Sequence, residues 1–163
     1  MIINNARRAA VALALVAFAA ASAQAQTANQ PVTFAVNALT QIAFVGAASL
    51  TITTAGAGSA PTSATDNTAS WAVTTNQTGA KITASIPTIM PAGLTLSSSL
   101  AAPAGATSVG FLALSTTAVD LVTGITKLAQ GALGVTYKLD ATVAAGVVLS
   151  GTRVVTYTIT GGT

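Results

Sequence analysis

The stretch GALGVTYKLDATVAAGVVLSGTRVVTYTIT, Gly131 to Thr160, decides how the rest of the chain is read. In its first half Leu133, Val135, Tyr137, Leu139, Ala141 and Val143 take alternate positions. In its second half Val155, Tyr157 and Ile159 alternate with Val154, Thr156, Thr158 and Thr160. A period of two sends successive side chains to opposite faces of a strand, so each half has one apolar face. The glycine-bounded stretch between the halves predicts a short loop, and with it a β-hairpin. Two strands alone cannot bury such a face, so the upstream chain must supply an opposing layer.

Upstream, Leu94, Leu96 and Leu100 predict one strand and Phe111 to Leu114 a further buried one, with Ala102-Pro103-Ala104-Gly105 as the turn between them. Ala69, Trp71 and Val73 share one face of another strand. The turn Asn76-Gln77-Thr78-Gly79 then leads to Ile82, Ala84 and Ile86, which predicts a second hairpin, closed by Pro87 and Pro91. Phase with Val73 places Trp71, the one Trp, in the core; exposed, it would be a platform for stacking on sugar. Ala55 to Thr68 lacks an apolar period and reads as a loop in which Asp66-Asn67 forms an Asx turn. Leu50 and Ile52, alternating with Thr51 and Thr53, predict a short strand before it. Within Thr116 to Gln130 the spacing of Val119, Val122, Ile125 and Leu128, behind the capping-box pattern Thr117 to Asp120, predicts one short helical turn.

The longest alternation lies further upstream, at Val32, Phe34, Val36, Ala38, Thr40, Ile42 and Phe44. It covers about thirteen residues, or roughly 40 Å if extended, well beyond a common strand of about five or six. Two readings follow: a long first strand crossing between the sheets of its own domain, or a segment in which Val32, Phe34, Val36, Ile42 and Phe44 add as a strand to a neighbouring copy. The fold class predicted from these elements is all-β, a single antiparallel two-sheet β-sandwich of about eight strands with turn signals every 8 to 12 residues.

The chain begins with Arg7 and Arg8, an apolar run from Ala9 to Ala21, and Ser22-Ala23-Gln24-Ala25. Basic residues, a short apolar run and small residues at alternate positions form a secretory signal peptide, here residues 1–25 with cleavage after Ala25. The run is shorter than the roughly 20 residues needed to span a bilayer, so no span is expected in the mature chain. Residues 26–163 then form the sandwich domain, and the protein is exported to the periplasm, the cell surface or the medium.

The composition excludes much chemistry. There is no His or Cys, and the three acidic residues are Asp66, Asp120 and Asp140, so Glu is absent too. Ser-His-Asp and Cys-His catalysis, imidazole or thiolate metal sites and a glutamate general acid are therefore impossible. Three scattered aspartates make poor paired carboxylates or calcium ligands. No catalytic residue, cofactor or metal is expected, and the chain is not read as an enzyme. From Gln26 onward Lys81, Lys127, Lys138 and Arg153 stand against those three aspartates, a balance of +1 with no basic patch, which gives no support to nucleic-acid binding. Charged residues make up 6% of the chain, where a soluble domain averages about a quarter, so little repulsion keeps copies apart and self-association is expected.

In the export signal, the alternating N-terminal segment and the final strand from Gly151 to Thr160, the chain resembles secreted bacterial fimbrial-type and spore-coat-U-like β-sandwich proteins. It lacks the cysteine pair common in those families and the usual pilin C-terminal tyrosine pattern. The resemblance implies an immunoglobulin-like fold and a non-enzymatic structural or cell-surface subunit that assembles into homo-oligomers or fibres by strand addition. The alternative from another class is an extracellular carbohydrate-binding or adhesion module, in which Trp71 or a loop contacts polysaccharide.

Overall fold

In a computed structural model, which describes residues 25–163, β-branched and aromatic residues spaced by two build nine strands. They are β1 (Thr40–Val45), β2 (Ala64–Thr75), β3 (Ala80–Ser85), β4 (Leu94–Leu100), β5 (Thr107–Ser108), β6 (Leu112–Ala113), β7 (Val119–Ile125), β8 (Leu128–Ala141) and β9 (Thr156–Thr160). All pair antiparallel, in one sheet ordered β1-β2-β8-β4-β6 and a second ordered β5-β7-β3-β9. The strands fall within residues 36–163, one compact unit; the described part of the first unit, residues 25–35, is exposed and enters no ladder.

The two sheets share one core. Trp71, Val73, Leu96, Leu100 and Val135 come to it from the first sheet, and Ile82, Ala84, Leu121, Val122 and Ile125 from the second. Val155, Tyr157 and Ile159 pack against it as their alternation requires. From β2 to β9 every connection passes from one sheet to the other, so no two consecutive strands after β2 are ladder neighbours.

Both expected hairpins are corrected by that path. β8 has β2 on one side and β4 on the other, which leaves it no free edge, while β9 pairs with β3 in the opposite sheet. The chain between them, 142–155, holds only a 3-10 turn at Val143–Ala145 and no strand. Likewise the turn at 76–79 carries the chain from β2 in one sheet to β3 in the other.

The expected helical turn in 116–130 is β7 and the start of β8. Register along β3 explains the misleading spacing, because Ala80, Ile82 and Thr83 face Ile125, Val122 and Asp120, so β7 carries an extra residue twice within seven. Each bulge turns a period of two locally into three, which mimics a helix. β8 carries a bulge as well, between the pairs Trp71–Leu133 and Val73–Gln130, where Ala132 takes φ 55°.

Three smaller expectations also change. Leu50 and Ile52 join no ladder, although Leu50 packs against the core. Asp66 and Asn67 lie inside β2, at a bulge between the pairs Asp66–Tyr137 and Ala69–Val135. The Asx contact itself forms, since the amide of Thr68 donates to Asp66 Oδ1 at 2.9 Å. Phe111 is half exposed, just ahead of the two-residue β6, while Leu114 beyond it is buried.

Candidate functional site

The long alternating segment is divided in two. Strand β1 pairs with β2 from Thr40 opposite Thr75 to Val45 opposite Ser70, and beyond Thr75 the partner chain turns away to β3. The ladder runs out there. Asn76 closes its end, accepting the amide of Leu39 on Oδ1 at 2.7 Å and donating from Nδ2 to the carbonyl of Asn37 at 2.7 Å. Ile42 and Phe44 lie on β1 and pack on this chain's own core. The single long strand is corrected, because Val32, Phe34 and Val36 belong to no strand and stand 77%, 90% and 81% exposed.

Phe44 closes one border of the two sheets. Its ring lies nearly parallel to that of Tyr157 with centroids 4.0 Å apart, and to that of Trp71 at 6.1 Å. β1 and β9 are edge strands of their respective sheets, so this stack joins the two edges through side chains while the outer backbone groups of both strands have no strand beside them. Trp71 is 1% exposed and its Nε1 has no partner, so it is a core residue and offers no face to a sugar.

Behind the stack, three hydroxyls tie the sheets together. Ser98 and Tyr137 are register partners on β4 and β8, and Tyr157 reaches them from β9 in the other sheet. Tyr157 Oη donates to Tyr137 Oη at 2.9 Å and lies 2.9 Å from Ser98 Oγ, which therefore donates to it. Burial pushes the Tyr157 phenol far above its ordinary range; the Ser98 bond opposes that shift and Tyr137 adds to it.

A cleft of about 370 Å³ opens next to this cluster. The chain leaving β1, Gly46 to Leu50, forms one wall and the chain entering β9, Gly151 to Val155, another. Leu96, Tyr137, Leu139 and Met90 complete the lining. The first wall is fastened to β2, since the amide of Ser49 donates to Asp66 Oδ2 at 2.9 Å. With the Thr68 amide and hydroxyl also donating, Asp66 is held below the usual aspartate pKa, the Ser49 bond contributing most. Arg153 on the second wall spans outward, with Nη1 donating to the Thr152 carbonyl at 3.0 Å and Nη2 to the Ile89 carbonyl at 3.3 Å.

Lys81 pairs with Asp120 at 3.0 Å across β3 and β7, and Lys138 with Asp140 at 3.1 Å along β8. Asp140 also accepts the Ser63 hydroxyl, the main reason its carboxyl is held below the ordinary value. Among the described residues no three metal-ligating side chains cluster, and no helix is long and apolar enough to cross a membrane. Residues 1–24, and with them all but the last residue of the expected signal peptide, lie outside the described residues.

Sequence reasoning overlooked the hydroxyl cluster and Arg153. Ser98 lies in the polar run Ser97-Ser98-Ser99, whose buried members only the fold singles out. Arg153 did carry a signal, as the one arginine after residue 25, set between Gly151-Thr152 and Val154-Val155 with no acid nearby in sequence. Comparison with protein-family models, curated proteins and solved structures found no match.

Proposed function

We propose that this chain is a non-enzymatic, exported structural or cell-surface subunit with a β-sandwich fold of the immunoglobulin-like, fimbrial kind, and that copies of it assemble by strand addition. The observation that carries the reading is the arm Val32, Phe34 and Val36, three apolar side chains at strand spacing left 77%, 90% and 81% exposed. Water around such a row is unfavourable by roughly 25 cal/mol per Å² of apolar surface, so a surface that covers it gains that free energy. Edge strands supply such a surface. β1 and β9 each offer an unpaired row of amides and carbonyls to an incoming strand, and low charge lets copies approach. The polysaccharide-binding alternative loses its aromatic platform with Trp71 in the core.

The test is the double substitution Phe34→Asp and Val36→Asp in the mature chain, followed by size-exclusion chromatography, electron microscopy and circular dichroism. Because both side chains are exposed, stability of the subunit should stay within about 0.5 kcal/mol of wild type. Oligomers or fibres formed by the wild type should disappear, since two carboxylates cannot be buried against a second copy without partners. Assembly that survives the double substitution refutes the proposal.

A further inference from the structure

The charge inventory around the cleft leaves one cation unanswered. The chain has three side-chain carboxylates, and each is engaged away from Arg153: Asp66 by Ser49 and Thr68, Asp120 by Lys81, and Asp140 by Lys138 and Ser63. Arg153 has five N–H donors. Two of them go to the neutral carbonyls of Thr152 and Ile89, and Nε is buried with no partner. A guanidinium drawn against a cleft wall and served only by neutral acceptors is poorly compensated, and the group that suits its planar fork is a carboxylate.

The rest of the lining limits what the carboxylate can be attached to. Leu50, Met90, Leu96, Leu139 and Val155 give the lining an aliphatic part, beside Thr152 and the phenol of Tyr137, which accepts a hydrogen bond from Tyr157 and keeps its own O–H to donate. Phosphate alone would leave these aliphatic side chains unused. The volume, about 370 Å³, falls at the small end of ligand sites. We propose that the cleft binds a small aliphatic monocarboxylate, of the size of a medium-chain fatty acid, with its head on Arg153 and its alkyl body between Leu50, Leu96, Leu139 and Val155. This assignment does not depend on strand addition.

Titration calorimetry of the mature chain with octanoate, octanol and inorganic phosphate tests it. Octanoate should bind saturably with one site per chain, octanol at least tenfold more weakly, and phosphate not at all. Arg153→Gln should weaken octanoate at least tenfold while leaving circular dichroism and octanol binding unchanged. The comparison of octanoate with octanol on the wild type stands even if that variant misfolds. Absence of saturable octanoate binding, equal binding of octanol, or an Arg153→Gln variant that binds octanoate normally would each overturn the assignment. So would binding seen only after Phe34→Asp and Val36→Asp, because the occupant would then be the arm of a second copy.

Discussion

Tyr157→Phe isolates the polar link between the two sheets, because it deletes one oxygen and keeps the ring stacked on Phe44. Ser98 is fully buried and its hydroxyl donates to Tyr157 Oη, so the substitution strands a buried donor, at a cost of about 1 to 3 kcal/mol. Tyr137 is only part-buried and recovers water, which adds little. The expected loss is therefore about 2 kcal/mol, or roughly 1 M in the urea midpoint for a protein of this size. Ser98→Ala should cost about 1 kcal/mol, the net value of one hydrogen bond. In the double variant no donor is stranded, so the two losses should fall short of additive by about 1 kcal/mol. The same phenol makes the link sensitive to alkali. Its folded pKa lies above the unfolded value of about 10, so its contribution is complete below pH 10 and is lost as pH rises beyond that. Urea titrations at pH 7 and pH 10.5 of the wild type, both single variants and the double variant give all of these quantities. A Tyr157→Phe variant within 0.5 kcal/mol of wild type, or strict additivity in the double, would refute the claim that the hydroxyls couple the sheets.

Trp71→Ala should destabilise by about 3 to 5 kcal/mol, the range for emptying a large buried aromatic site; thermal or urea unfolding measures it, and a loss under about 1 kcal/mol would contradict its burial. Gly93→Ala and Gly105→Ala should differ although both positions have φ near +80°, at +80° and +76°. The left-handed backbone costs either alanine about 1 to 2 kcal/mol, but only at Gly93 would the new methyl meet Ala145 N and Thr142 Oγ1 at 2.8 Å, adding about 1 to 3 kcal/mol by chemical denaturation. Asp66, held below the ordinary aspartate value of about 3.9, contributes stability that is complete above that pH and is lost as pH falls through its lower folded value. Asp66→Asn should accordingly lose less stability than wild type between pH 5 and pH 2.5, followed by fluorescence of Trp71.

The sequence showed faces more clearly than partners. Alternation at Trp71 and Val73, at Ile82 and Ala84, and at Val155, Tyr157 and Ile159 identified the inward side of each strand, because a half-buried strand must alternate wherever it pairs. The same alternation says nothing about which sheet a strand joins, so two sheet-to-sheet crossings were read as hairpins. In β7 the bulges reset the phase and the pattern read as a helical turn. At the arm the apolar period continued past Thr40 while the partner strand ended at Thr75, and strand length is set by the partner. The spacing of Val32, Phe34 and Val36 singled out the arm, although the segment forms no strand of its own. The cleft was not legible, since its walls come from residues 46–50 and 151–155, more than a hundred positions apart.

The alternating path from β2 to β9 also governs how the chain reaches this structure. A hairpin lets neighbouring residues pair early, at little entropic cost, and here no consecutive strands after β2 can do so. β2 must wait for β8, so that Trp71 finds Leu133 62 positions further along the chain, and β3 must wait for β9. Topologies with such distant pairing fold in milliseconds to seconds, slow for a domain of this size. During that interval Phe44, Trp71 and their apolar neighbours are uncovered together with every strand edge, in a chain with few charges to hold its copies apart. Stopped-flow refolding should show a slow principal phase, and its yield should fall as protein concentration rises.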